Sequence, residues 1–121
     1  MILVDSSVWI DHFRRANARL SSLVRDHQVL AHRFVIGELA CGTLPGRRAE
    51  VLAHLSRLPD APIAAHHEVL ALVERRGLVG SGIGWVDAHL LASALLASAP
   101  LWTLDRTLQR VASILSVSAG P

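Results

Sequence analysis

The sequence predicts an α/β protein, a three-layer α/β/α sandwich with a mainly parallel sheet. Short apolar runs, such as the ILV at residues 2–4, alternate along the chain with longer stretches of helical character, and this alternation is typical of βαβ units. The short runs are apolar throughout, as expected of strands that helices cover on both faces. The chain has 121 residues, of which 51% are hydrophobic, and this size predicts one domain over residues 1–121.

The first half of the chain predicts two strands and four helices. The opening strand ends at Asp5, and Ser6 or Ser7 offers an N-cap for the helix that follows. The clearest amphipathic helix covers residues 47–58, because Val51 and three leucines fall on one face and charged residues on the other. In order, the predicted elements are a strand over 2–4, helices over about 6–13 and 17–26, a strand over 28–31, and helices over 33–41 and 47–58.

The second half predicts three strands and three helices. Gly77 ends a helix that begins at residue 66, and a glycine-rich loop follows over 77–84. Residues 85–98 are almost wholly apolar, so this helix must be buried. In order, the predicted elements are a strand over 63–65, helices over 66–76 and 85–98, a strand over 100–104, a helix to about residue 112 and a last strand over 114–117.

Missing residue types exclude several kinds of chemistry. The chain has no lysine, which excludes a Walker P-loop, a Schiff-base enzyme and a response-regulator receiver. Cys41 is the only cysteine, so an intrachain disulfide and a cysteine-based zinc site are excluded. No uninterrupted apolar run reaches the roughly 18 residues of a membrane span, and the N-terminal segment is unlike a secretory signal. We therefore expect a cytoplasmic protein with no membrane span.

Four of the ten acidic residues stand in apolar surroundings: Asp5, Glu38, Asp87 and Asp105. Asp5 and Asp105 each follow a predicted strand, at the sheet edge where open α/β sheets bind ligands. Asp87 lies in the first turn of its helix, and Glu38 lies on the helix after the second strand. Any one of these aspartates could simply cap a helix. Together, four carboxylates at one edge predict an oxygen-only site for a hard cation, Mg²⁺ or Mn²⁺.

Four segments resemble the conserved blocks of PIN-domain ribonucleases, and in particular the VapC toxins of bacterial type II toxin–antitoxin pairs. They are LVDSSVWIDHF, IGELACG, GIGWVDAHLLASALL and LWTLDRTL, and the likeness covers essentially the whole chain. The resemblance implies a flavodoxin-like, PIN-like α/β/α sandwich and a Mg²⁺-dependent endoribonuclease that inhibits growth. It also implies a homodimer and a cognate VapB-type antitoxin. Its implied acidic site is Asp5, Glu38, Asp87 and Asp105, with Ser7 and Thr103 as small hydroxyl residues near the metal.

Divalent ions held by carboxylates can activate water and stabilise both the charge and the leaving oxygen of phosphodiester cleavage. We expect Asp5 and Asp87 to be the principal ligands, with Glu38 and Asp105 as second ligands or water-orienting groups. Arginines would hold the RNA backbone. A phosphatase of the haloacid dehalogenase type would need an aspartate at the position of Ser7 and a lysine. A non-catalytic RNA-binding or adaptor PIN domain is the alternative, although such a domain would be expected to have lost some of these acids.

Three further features have more than one interpretation. Trp9 and Phe13 either line a groove for an antitoxin helix or pack in the core. The histidines lack the spacing of metal ligands and are expected at the surface or in packing contacts. Cys41 is expected to be a small buried side chain, and the glycine-rich loop 77–84 a mobile lip beside the site.

Overall fold

The computed structural model describes residues 1–120 and contains a parallel sheet of three short strands, so the predicted α/β class is confirmed. The central strand is the first in sequence, and Leu3 pairs with Leu30 on one side and with Leu101 on the other. The strand order is β2-β1-β3. The strands are β1 (Ile2–Val4), β2 (Val29–Leu30) and β3 (Leu101–Trp102).

Seven helices surround this sheet in the described residues, and each was predicted to within a few residues. Their starts follow local chemistry: Asp5 caps the first helix through the Ser6 N–H, and Asn17 caps the second. The cap of the first helix is therefore Asp5 rather than Ser6 or Ser7. The helices are α1 (Ser6–Arg15), α2 (Ala18–Arg25), α3 (Arg33–Cys41), α4 (Arg48–Arg57), α5 (His66–Arg75), α6 (Trp85–Ala97) and α7 (Arg106–Ile114).

Two predicted strands, over 63–65 and 114–117, are wrong. The segment before α5 meets the sheet at Asp60 through a single bridge to Ala31, and residues 63–65 carry no ladder. Ile114 is the last residue of α7, and the chain then touches β3 through one bridge between Ser118 and Leu101. Both segments lie along an edge of the sheet and pair with it through one bridge each, which is too short to form a strand.

The core lies between the sheet and the helices that cover it. Leu3 and Val4 of the central strand are fully buried, and the apolar helix α6 is buried from Ala88 to Ala94, as its composition predicted. None of the helices in residues 1–120 combines the length and apolarity needed to cross a bilayer.

The topology places several helix starts at one edge of the sheet. Helices α1 and α7 begin directly after β1 and β3, at the carboxyl ends of these strands. Helix α6 enters the parallel strand β3 through a short link, so it must run opposite to the strands and begin at the same edge. The acidic residues at these helix starts are therefore brought together.

Candidate functional site

Asp5 lies at the centre of the predicted acidic site and is 6% exposed. Its Oδ1 accepts a hydrogen bond from the Ser6 backbone N–H at 2.8 Å. Its Oδ2 accepts from the Ser7 hydroxyl at 2.8 Å and from the Thr103 hydroxyl at 2.7 Å. These hydrogen bonds, with a longer one from the Ser6 hydroxyl to Oδ1 at 3.4 Å, fix the orientation of this carboxylate at the carboxyl end of the central strand.

The two hydroxyls also join the start of α1 to the start of α7. Ser7 Oγ accepts from the Leu104 N–H at 3.0 Å, and Thr103 Oγ1 accepts from the Asp105 N–H at 3.0 Å. The hydroxyl oxygens lie 3.3 Å apart. Ser7 and Thr103, which the resemblance implied, therefore hold the backbone of Asp105 beside the carboxylate of Asp5.

Asp87 is half-buried in the first turn of α6, where its Oδ2 accepts from the Gly84 N–H at 3.0 Å. Burial raises the pKa of Asp87, the Gly84 hydrogen bond lowers it, and the negative charges of Asp5 and Asp105 raise it further. The three aspartates thus lie near enough to one another for their charges to interact.

Glu38 is the fourth acid of the cluster and projects from α3. Partial burial raises the pKa of Glu38, and the charges of Asp5 and Asp87 raise it further, while a hydrogen bond from the Ser6 side chain lowers it. The structure thus brings all four predicted acids together. Ser6, which contacts both Asp5 and Glu38, was considered from the sequence only as a possible helix cap.

The burial of the four acids differs from what their sequence surroundings suggested. Asp5 is buried and Asp87 half-buried, but Glu38 and Asp105 are exposed. Apolar neighbours in sequence do not imply burial, because a side chain at a helix surface or after a strand end can reach solvent whatever its neighbours are, as Glu38 on α3 and Asp105 after β3 do.

Capping and the acidic site coexist in this structure. Asp5 caps α1, and Asp105 caps α7 through a 3.0 Å bond from the Leu108 N–H. Asp87 accepts from the backbone at the start of α6. The positive ends of these helix dipoles partly offset the repulsion between the carboxylates, and each carboxylate keeps lone pairs for a further ligand.

The four carboxylates suit a hard, hydrated cation. Within residues 1–120 the ion pairs are Arg15–Asp11 and Arg47–Glu50, so none of the four is neutralised by a basic side chain. The same residues contain no group of three His, Cys, Asp or Glu side chains already arranged to hold a metal ion. Mg²⁺ usually keeps several waters and needs one or two direct carboxylates, and the oxygen-only donor set fits that mode of binding.

The glycine-rich loop before α6 is held by contacts with α7. Arg110 donates to the Ser81 carbonyl at 3.0 Å. Gly82 has a φ of +93°, and a Cβ at this position would come within 3.2 Å of Thr107 Cγ2, so glycine permits this close approach. The loop places the Gly84 N–H against Asp87 and therefore serves the site as a positioning segment.

Two other expectations can be compared with the structure. Trp9 is 6% exposed and packs in the core, yet it also lines a pocket of about 470 Å³ with Phe13 and Leu55, so both interpretations apply to it. Phe13 is half-buried and also lines a second apolar pocket of about 470 Å³ with Ile10 and Leu44. Cys41 is exposed, so its expected burial is wrong. It is the last residue of α3, where the chain leaves the core.

Comparison with known proteins confirms the resemblance seen in the four sequence segments. A family model described as PIN domain matches residues 2–114. Ribonuclease VapC32 of Mycobacterium tuberculosis, from strains CDC 1551 / Oshkosh and ATCC 25618 / H37Rv, is 51% identical over 110 residues, covering 90% of this chain and 88% of the relative. The crystal structure of PAE2754 from Pyrobaculum aerophilum superposes with a TM-score of 0.58 at 20% identity, over 90% of this chain and 77% of that one, and supports the fold.

Proposed function

Because this chain belongs to the PIN-domain family, we propose that it is a divalent-metal-dependent endoribonuclease, built as one domain over residues 1–121, and the toxin of a type II toxin–antitoxin pair. The observation that carries the proposal is the cluster of four carboxylates without a basic partner among the described residues. A set of acids that repel one another is costly unless a cation binds it. The name of the M. tuberculosis relatives supports RNA as the substrate.

In the proposed mechanism Asp5 and Asp87 would be the principal ligands of Mg²⁺, with Mn²⁺ as a substitute. A bound divalent ion supplies charge neutralisation for the phosphate and activation of water. Asp5 would suit a fixed ligand, because hydrogen bonds from α1 and from Thr103 hold its oxygens. Glu38 and Asp105 would serve as second ligands or orient water. The raised pKa of Glu38 and its exposed position suit its carboxylate to accept a proton from the attacking water.

Arginines at the same edge would hold the RNA backbone. The twelve basic residues of the chain are all arginine, which binds phosphate in a planar, bidentate manner. Arg106 begins α7 directly after Asp105, and Arg110 contacts the loop before Asp87. Both arginine side chains therefore extend from backbone positions near the carboxylates. Their contacts with phosphates would position the RNA without reading its sequence.

The proposed antitoxin is of the VapB type and would act by covering the site. The apolar pocket lined by Ile10, Phe13 and Leu44 also has Glu38 and Arg14 in its wall. An antitoxin segment that inserts apolar side chains into this pocket would lie directly against Glu38. Inhibition would then follow from occlusion of the carboxylates, and the toxin would act in the cytoplasm where its RNA is found.

The substitution Asp87→Asn tests the proposed activity. Asparagine keeps an oxygen for the Gly84 N–H but removes the charge, so the fold should survive. Cleavage of RNA by the purified protein should fall by about 100-fold or more, because even the partners of metal ligands contribute 10- to 100-fold. Growth on induced expression should recover in parallel.

The matched control is Glu74→Gln, which neutralises an exposed acid on α5 and should leave cleavage and toxicity unchanged. Full activity of Asp87→Asn would remove Asp87 from the site. A wild-type protein that binds RNA but never cleaves it would instead support the adaptor alternative.

A further inference from the structure

An exposed tryptophan opens the helix that carries Asp87. Trp85 is the first residue of α6 and is 41% exposed, although α6 is buried from Ala88 to Ala94. The other two tryptophans, Trp9 and Trp102, are 6% and 3% exposed. Trp85 is therefore the one of these tryptophans whose ring a ligand can reach.

Two neighbouring rings hold the indole of Trp85 in place. His66, the first residue of α5, lies with its ring centroid 4.9 Å from that of Trp85. His89 stands edge-on to Trp85 at 4.8 Å, and Phe34 of α3 stands edge-on to His89 at 4.8 Å. We call these four rings the aromatic row. His89 is 5% exposed, whereas Trp85 and His66 are exposed. One end of the aromatic row is therefore buried in the protein, and the other end is accessible to solvent.

The position of the aromatic row relative to the carboxylates restricts what can bind it. Trp85 and Asp87 share the first turn of α6, but positions i and i+2 lie about 200° apart around a helix, so the indole and the carboxylate project from nearly opposite sides of that turn. The exposed start of the helix at Gly84 lies between them. A ligand that reaches both must be extended, with one group at the carboxylates and a flat group at the indole. A single-stranded nucleic acid has this form, because successive phosphates alternate with bases that stack on aromatic side chains.

We propose that Trp85 and His66 form a stacking platform for an unpaired base of the RNA, in a nucleotide next to the one whose phosphate reaches the carboxylates. This inference rests on the proposed ribonuclease function. Its support is that Trp85 begins the helix that carries Asp87, that Phe34 of the row lies one turn before Glu38 on α3, and that the ring packed on Trp85 at the surface is a histidine and not an aliphatic side chain. Every base has a π-face, so the platform binds single-stranded RNA with little sequence preference.

The fluorescence of Trp85 gives a direct test of binding. The other two tryptophans are buried, so quenching by a stacked base reports on Trp85. The titration uses the Glu38→Gln variant with Mg²⁺ and a short single-stranded RNA that a gel shows to remain intact. We expect saturable quenching by this RNA and little quenching by an oligomer of equal length that contains abasic positions. Equal quenching by both oligomers would overturn the platform.

Variants then test whether the ring matters for cleavage. Trp85→Leu keeps an apolar side chain without a π-face, and it should weaken RNA binding and raise KM by about five- to a hundred-fold. Trp85→Phe should bind RNA almost as well as the wild type, because it keeps an aromatic ring. His66→Leu should weaken RNA binding less than Trp85→Leu does. The matched control is Leu70→Ala, which truncates an apolar side chain on α5 that is 47% exposed. Equal melting temperatures would show that these variants fold.

The outcomes separate this inference from the function on which it rests. If the wild-type protein cleaves RNA and Trp85→Leu cleaves and binds it equally well, the platform is wrong and the ribonuclease stands. If Trp85→Leu changes only the binding of a protein partner, the indole covers a protein interface and the platform is again wrong. If the wild-type protein neither binds nor cleaves RNA, the proposed function itself fails.

Discussion

Asp5 caps a helix and is also a proposed ligand of the metal. Its Oδ1 caps α1, and its Oδ2 receives the hydroxyls of Ser7 and Thr103. The sequence identified Asp5 because an acid follows a short apolar strand at the edge where ligands bind. The sequence could not show that Glu38 and Asp105 are exposed, because burial depends on which helix face meets the core. It also could not show the aromatic row, since its rings come from three separate helices.

At the residue scale, we predict that Glu38→Gln stabilises the metal-free protein. The pKa of Glu38 is raised from its usual value of 4.5, so the folded state binds more protons than the unfolded state as pH passes through this range. Stability therefore falls as pH rises from about 4.5 through the raised pKa, and the penalty is complete above it. At pH 7.5 in EDTA, Glu38→Gln should melt on the order of 2 °C higher than the wild type.

The comparison needs melting curves of both proteins at pH 4 and pH 7.5 with EDTA. The difference should shrink at pH 4, where Glu38 is protonated and resembles glutamine. Glu74→Gln, on the exposed face of α5, should show no such dependence on pH. A lower melting temperature for Glu38→Gln at pH 7.5 would mean that Glu38 is held by favourable contacts and not by a repelling cluster.

At the element scale, a buried histidine links the helices that carry Glu38 and Asp87. His32 is fully buried, and its Nδ1 accepts from the Phe34 N–H at 3.0 Å, which caps α3. The proton must then lie on Nε2, which is 3.0 Å from the Ser93 hydroxyl of α6 and donates to it. The sequence predicted the bounds of α3 correctly. It did not reveal this cap, because histidine is not a typical capping residue and Ser93 lies 61 positions away.

The helices were predicted correctly and two strands wrongly for one reason, which is where each element finds its hydrogen-bond partners. A helix satisfies its own backbone groups, so local periodicity predicts it. An edge strand forms only where the neighbouring strand offers enough residues for pairing. The apolar residues of 63–65 and 114–117 do not reveal how long that neighbouring strand is. Both segments do reach the sheet, at Asp60 and Ser118, through one bridge each.

We predict that His32 lowers the free energy of unfolding as the pH falls below about 6.5. Burial lowers the pKa of His32 to about 4, with smaller contributions from His89 and Arg33. The unfolded state then binds more protons between about pH 6.5 and pH 4, so the contribution of neutral His32 is complete above pH 6.5 and is lost as pH falls through this window. The full loss is on the order of 3 kcal/mol.

Urea unfolding at pH 7.5 and pH 4.5 tests this prediction in the wild type and in His32→Asn. Asparagine can still cap α3, but it does not titrate and cannot reach Ser93. The variant should be less stable by about 2 kcal/mol at pH 7.5, and the gap should narrow at pH 4.5. His54→Asn, at an exposed position of α4, is the control. A gap of equal size at both pH values would contradict the proposed role of His32.

At the scale of the whole molecule, exposed apolar side chains support the expected homodimer. Leu95 and Leu96 at the end of α6 are 36% and 53% exposed, and Ile114 at the end of α7 is 59% exposed. These helices begin at the carboxylate edge, so their ends lie at the opposite edge. A dimer formed there would leave both acidic sites open to RNA.

Light scattering at micromolar concentrations should give twice the chain mass of 13.1 kDa. Leu96→Arg should shift the protein to the monomer, because a charge at the centre of an apolar contact is costly. Leu70→Arg on the outer face of α5 should leave the dimer intact. A wild-type mass that stays monomeric throughout this range would contradict the dimer.

The measurement that tests the acidic metal site most directly is the cleavage of a defined RNA by the EDTA-treated protein, before and after divalent ions are added back. We predict no cleavage in EDTA, recovery with Mg²⁺ or Mn²⁺, and poor recovery with Ca²⁺, which is larger and less strict in its geometry. An Asp87→Asn preparation purified in the same way should stay inactive with every ion, which excludes a contaminating nuclease. Undiminished cleavage in EDTA by the folded wild-type protein, absent from the Asp87→Asn preparation, would contradict a metal-dependent mechanism at these four carboxylates.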